Sequence, residues 1–97
     1  MPKLDHILKT LNEERSALTK EFSVKRIGVF GSFVRKEARK NSDLDILIEF
    51  TEAPGMFAFL RLEEHLTKKL GVKVDLVMKS ALKPAIGKRI MKEVHFI

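Results

Sequence analysis

Leu4, Ile7, Leu8, Leu11 and Leu18 recur at helical spacing with charged positions between them, which predicts a first helix over about residues 4–21. Its polar face carries Lys3, Lys9, Glu13, Glu14 and Arg15. Val24 to Phe30 reads as a strand closed by Gly31. Residues 32–39 read as a short helix capped by Ser32, with Phe33, Val34 and Ala38 as its apolar contacts. Lys40, Asn41 and Ser42 form a turn, and Asp43 to Phe50 is the second strand. Ile46, Leu47 and Ile48 follow one another without alternation, so both faces of that strand are expected to be covered.

Glu52-Ala53-Pro54-Gly55 breaks the chain. A helix over 56–70 then turns Met56, Phe59, Leu62, Leu66 and Leu70 toward the core, and Gly71 stops it. Val72 to Met78 is the third strand, and a last helix runs from a Ser80 cap to about Val94 with Pro84 in its first turn. His95, Phe96 and Ile97 form a tail that either packs back on the domain or meets a partner. The order is α-β-α-β-α-β-α, an α/β (α+β) fold with helices packed on a small sheet. Strand order and direction are not readable from the pattern.

Ninety-seven residues correspond to one domain, 1–97, with one modest core. The 44% apolar content and seven Phe are enough to fill it, and no length is left to hold a bulky second substrate. An acceptor must therefore be small or be presented by a partner. The net charge of +6 favours polyanions such as nucleotide, RNA or an acidic protein face, without choosing among them. The absence of cysteine excludes disulfides and thiolate metal sites. Met1-Pro2-Lys3 begins no signal peptide, and no apolar run approaches the ~20 residues of a membrane span, so a cytoplasmic location without a membrane partner is expected.

The candidate chemistry lies in Gly31-Ser32, ten residues, then Asp43-Leu44-Asp45, with Asp75 in a later strand. Side chains alternate along a strand, so Asp43 and Asp45 share a face with Cα atoms about 6.6 Å apart. Two carboxylates this close resist joint ionisation. A divalent cation reverses that cost, and Mg²⁺ suits a pair of carboxylates completed by substrate phosphates. Asp75 stands between Val74 and Leu76 and faces the opposite way from both. Beside Asp43 and Asp45 it would complete a clamp for two Mg²⁺ ions about 3.5–4 Å apart. The plainer alternative is that Asp43 ends a turn, Asp45 is solvated and Asp75 pairs with a lysine.

Gly31 lets a ligand approach the backbone, Ser32 adds a hydroxyl, and the helix after them would direct free N–H groups at phosphate. No Gly-Lys-Ser/Thr follows, so this is not a Walker A loop. Arg35, Lys36, Arg39 and Lys40 crowd the segment after Ser32, with Arg35 and Arg39 on one helical face, placed to hold triphosphate oxygens or a partner. Lys79, Lys83, Lys88, Arg89 and Lys92 make the C-terminal region basic. His6, His65 and His95 lack metal-ligand spacing and read as surface or interface residues. Met56, Met78 and Met91 read as packing groups.

Gly31 to Arg39 followed by Ser42 to Leu47 resembles the minimal nucleotidyltransferases of the DNA polymerase beta superfamily, whose signature is GS, about ten residues, DxD and a third acid on a later strand. The resemblance covers about residues 24–78. It implies a palm-like fold with a small mixed sheet. It implies that Asp43, Asp45 and Asp75 hold two Mg²⁺ ions, with Asp75 also helping to activate the attacking hydroxyl. Gly31 and Ser32 would grip the phosphates of ATP or another nucleoside triphosphate. Small members of this kind serve as antitoxins that transfer AMP from ATP to a tyrosine hydroxyl of a HEPN ribonuclease toxin encoded nearby. Lys36 departs from the glycine that many relatives place there, and would narrow the loop or add a phosphate contact. Two other readings stand beside adenylylation. One is a non-catalytic antitoxin or assembly subunit acting by occlusion. The other is nucleotide addition to RNA, supported only by net basicity. A homo-oligomer is left open.

Overall fold

The computed structural model describes residues 2–97. Helix α1 (Leu4–Phe22) leads into β1 (Val24–Phe30), a 3-10 turn (Gly31–Phe33) and β2 (Leu44–Phe50). Helix α2 (Met56–Leu70) and β3 (Val74–Met78) follow, then a second 3-10 turn (Lys79–Ala81), α3 (Pro84–Glu93) and β4 (His95–Phe96). The sheet order is β3-β2-β1-β4. Strand β1 lies antiparallel to both β2 and β4, whereas β2 and β3 are parallel, so the sheet is mixed.

The expected periodicities place the core. Ile27, Val29, Leu44, Ile46, Ile48, Val74 and Leu76 project from one sheet face onto Ile7, Leu11 and Leu18 of α1 and Leu62, Leu66 and Leu70 of α2. Leu47 points the other way and is also fully buried, as the unbroken Ile46-Leu47-Ile48 run required. Two side chains of α2 secure the outer edge of β3. Thr67 Oγ1 accepts from the Val74 N–H (3.1 Å), and a Glu63 carboxylate oxygen accepts from the Leu76 N–H (3.0 Å). A strand edge would otherwise expose these donors.

Several expectations require correction. No helix spans 32–39: the chain makes the 3-10 turn and then closes at Lys36. Glu37 N–H bonds back to the Ser32 carbonyl at 2.8 Å around Lys36, whose φ is +61°. This is the left-handed closure that ends helices, so the segment stops after one turn, and Ser32 makes no side-chain cap. Phe33 is nevertheless buried, with Val34 and Ala38 packed against the core. Asp43 lies just before β2, and β3 starts at Val74 rather than at Val72. The last helix begins at Pro84, with residues 79–81 as a separate turn.

Met56 does not face the core and is 76% exposed, because the buried stripe of α2 starts only at Phe59. Met91 on α3 is exposed as well. His65 is half-buried at a helix–helix interface. It bridges two helices through Glu14 (2.8 Å) and lies beside the Phe22 ring. The tail packs back as β4, where the Arg26 guanidinium covers the Phe96 ring at 3.9 Å from its centroid. Among the described residues, no helix is long and apolar enough to cross a membrane.

Candidate active site

The second sheet face carries the candidate chemistry. Asp45 and Asp75 are direct partners across the parallel β2–β3 pair, so their side chains leave the same face from one rung. Adjacent strands run about 4.8 Å apart, which keeps the two carboxylates together. Asp43 precedes Asp45 by two residues. It follows a tight turn in which Ser42 Oγ accepts from the Arg39 N–H (2.7 Å) and Ser42 N–H donates to the Arg39 carbonyl (2.9 Å). Across β1, Phe30 pairs with Asp45, which places the Gly31 turn at the same end of the sheet.

Gly31 is required there for two reasons. Its φ of +81° lies where side chains are strained, and a Cβ would collide with the Asp45 carboxylate. Its carbonyl accepts from the N–H groups of Val34 (3.0 Å) and Arg35 (3.1 Å), which folds the turn over the Asp45 side of the sheet. Gly28 serves the close approach of the C-terminal segment, since a Cβ would stand 2.8 Å from the His95 carbonyl oxygen.

Electrostatics separates Asp45 from a structural acid on the same strand. Glu49, four residues on, shares its face. Burial pushes Glu49 up, but the hydrogen bond and charge of Arg26 (2.6 Å), aided by Lys79, hold it below the usual range. Asp45 lacks such a partner. Burial, then the negative charges of Asp75 and Asp43, raise it to about 6, against a smaller opposing effect of Arg35. None of Asp43, Asp45 or Asp75 joins an ion pair among the described residues, which removes the lysine-paired reading of Asp75. A charge repelled by its neighbours and partly desolvated is the setting that a divalent cation relieves. Among the described residues, no three His, Cys, Asp or Glu side chains stand in a ready metal-holding arrangement. Carboxylate oxygens are the ligand type that hard divalent cations take, with further positions left to phosphate oxygens and water.

A cleft of about 430 Å³ opens beside Asp45, walled by Phe30, Gly31, Arg35, Arg89 and Glu93 among others. Arg35 Nε donates to Glu37 (2.8 Å), and its Nη1 lies 3.1 Å from both carboxylate oxygens of Glu93. Glu37 and then Glu93 hold the guanidinium still more firmly protonated. Without a helix over 32–39, Arg35 and Arg39 do not share a helical face, and Lys36 stands exposed on the left-handed turn. The helix-dipole argument for phosphate binding therefore does not apply, and the turn itself is what remains. The site residue that sequence reasoning missed is Glu93. Its oxygen accepts from the Gly31 N–H at 2.6 Å across 62 residues of chain, and no local pattern marks it among the basic residues of α3.

Comparison with known proteins gives concordant matches. The family model describing a nucleotidyltransferase domain matches residues 8–97. The protein adenylyltransferase MntA of Thermococcus cleftensis is 47% identical over 94 residues, covering 97% of this chain and 95% of the relative. A solved structure provisionally described as a minimal nucleotidyltransferase is 37% identical with a TM-score of 0.73, covering 91% and 93% of the two chains. A chain in the solved complex of a tri-AMPylated HEPN toxin with an MNT antitoxin from Shewanella oneidensis shares the fold. It has a TM-score of 0.67 at 19% identity, covering 93% of this chain and 70% of that one.

Proposed function

The chain belongs to the nucleotidyltransferase domain family, and from that premise we propose that it transfers AMP from ATP to a tyrosine hydroxyl of a HEPN-type toxin, acting as its antitoxin. The observation that carries this reading is the Asp45–Asp75 rung, with Asp45 against the Gly31 turn and neither acid in an ion pair among the described residues. The name of the Thermococcus relative and the AMPylated toxin of the Shewanella complex support the nucleotide and the acceptor.

In this reading Asp43, Asp45 and Asp75 hold divalent cations, with Mg²⁺ the natural choice for an all-oxygen set. Such ions would supply charge neutralisation for the transferred phosphoryl group. Gly31 and Ser32 bound the triphosphate, and Arg35 stands in the cleft wall for its charge, whereas Lys36 lines a separate pocket with Leu4 and Phe33. The acceptor oxygen forms a bond to the α-phosphorus of ATP. The bond from that phosphorus to the bridging oxygen breaks, pyrophosphate leaves, and the hydroxyl proton passes toward the exposed Asp75 carboxylate. Positioning and electrostatics do the catalytic work.

The test is intact-mass spectrometry of the co-purified HEPN protein after incubation with Mg-ATP. Gain of AMP units on tyrosine, absent with Asp43→Asn/Asp45→Asn, is the expected result. Neutralisation of the toxin without any mass gain would favour action by occlusion, and label moving to RNA instead of protein would favour nucleotide addition.

A further inference from the structure

We propose that Glu93 is a positioning residue for the nucleotide site: its carboxylate replaces the missing rung of the β1–β4 ladder and holds the Gly31 turn and the Arg35 guanidinium in the shape that receives triphosphate. This rests on the nucleotide-site reading given above.

The register carries the argument. Gly28 pairs with Phe96 and Val29 with His95, and Ile97 N–H donates to the Ile27 carbonyl at 3.1 Å. Continued by two rungs, the same antiparallel register sets Gly31 opposite Glu93. There the strand has already given way to α3, which ends at Glu93, so no extended backbone remains to accept the Gly31 N–H. The Glu93 side chain takes over, with Oε2 at 2.6 Å from Gly31 N. The contact is short and charge-assisted, among the stronger kinds of hydrogen bond.

Two further features show that the carboxylate is placed for this contact. An acid in the last turn of a helix opposes the helix dipole, so α3 gains nothing from Glu93 by itself. It also adds negative charge near Asp45, which is already crowded by Asp43 and Asp75. Arg35 offsets that charge with Nη1 at 3.1 Å from both oxygens, and Glu37 fixes the other side of the guanidinium. Glu93 and Asp45 line one cleft from different elements, α3 and β2. The Gly31 N–H runs in the plane of the sheet toward β4, whereas Asp45 and Asp75 project from the face of β2 and β3.

The test uses the full chain with Glu93→Ala, Glu93→Gln, Arg35→Ala and the Glu93→Ala/Arg35→Ala double variant. The readouts are amide hydrogen exchange without nucleotide and calorimetric titration with Mg-ATP. Glu93→Ala is expected to speed exchange at Gly31 about tenfold with the β1–β2 rungs unchanged, and to weaken Mg-ATP binding about tenfold. Glu93→Gln keeps a carbonyl acceptor for the Gly31 N–H, so it restores exchange protection and part of the affinity, and it serves if the alanine variant fails to fold. In the Arg35→Ala background the loss on removing Glu93 should shrink, because the two residues act together. Unchanged exchange at Gly31, or Mg-ATP binding that is unchanged or tighter in a folded Glu93→Ala chain, would overturn the proposal. A parent chain that binds no Mg-ATP while its Gly31 amide still opens on Glu93→Ala would refute the nucleotide reading and retain the clamp.

Discussion

The two faces of the sheet are covered to different depths. On one face, α1 and α2 bury Ile46, Ile48, Val29 and Leu76 completely or nearly so, and the helices contribute Ile7, Leu11, Leu62 and Leu66 with no exposure. On the other, α3 contributes no fully buried side chain, and Ile86 is 47% exposed. The same strands thus carry Ile46 into a sealed layer and Asp45 into an open cleft. Close packing supplies stability on the first face, and it excludes the water and ligand oxygens that charged chemistry needs. The thin cover on the second leaves a carboxylate cluster that would be untenable in the core.

Substitutions can break this contrast, and the largest effect is expected on the open face. Asp43→Asn/Asp45→Asn should reduce AMP transfer on the order of a thousandfold or more, because ion-mediated charge stabilisation is worth several kcal/mol. Circular dichroism and the thermal midpoint should show the fold retained. On the sealed face, Leu62→Ala should cost about 2–5 kcal/mol in urea unfolding through the cavity it leaves. The matching Ile86→Ala on α3 should cost about 0.5 kcal/mol or less, since its side chain is half exposed already. Equal costs on both faces would contradict the comparison.

Proton linkage gives a sharper but smaller effect. The folded value for Asp45 of about 6 lies above the ordinary aspartate range, so the folded chain holds that proton more tightly than the unfolded one. Without metal, stability should therefore fall as pH rises from about 4 through 6. Asp45→Asn should be more stable than the parent at about pH 8 and lose that advantage near pH 4. Divalent-cation affinity should run the opposite way and weaken below pH of about 6, where the proton competes. Thermal scans and calorimetry across pH check both signs. A small effect of the opposite sign is expected from Lys36→Gly, which relieves the left-handed φ of +61° but loosens the unfolded chain. A net gain of about 0.5–1 kcal/mol in denaturant unfolding is expected.

Local spacing made much of this legible. The repeat of Ile7, Leu11 and Leu18 marked α1, Ile46-Leu47-Ile48 marked a strand buried on both faces, and the two-residue step from Asp43 to Asp45 kept the two charges within reach of each other, although Asp43 lies just before β2. What escaped depends on partners distant in sequence. The pairing of Asp45 with Asp75 needs β3 parallel to β2, a choice that alternation within either strand does not encode. Residues 32–39 have helical composition, but closure at Lys36 and the bond of Gly31 to Glu93 decide the outcome. Met56 satisfied the helical period and still lies in the open, because periodicity does not report where the supporting layer ends.

The most direct measurement is a calorimetric titration of ATP into the purified chain, with and without Mg²⁺, beside Asp45→Asn/Asp75→Asn. Saturable binding that needs the divalent ion and vanishes in the folded double variant is the expected result. Equal ATP affinity in both chains, whatever the metal, would mean that the carboxylates on the open face do not form the nucleotide site.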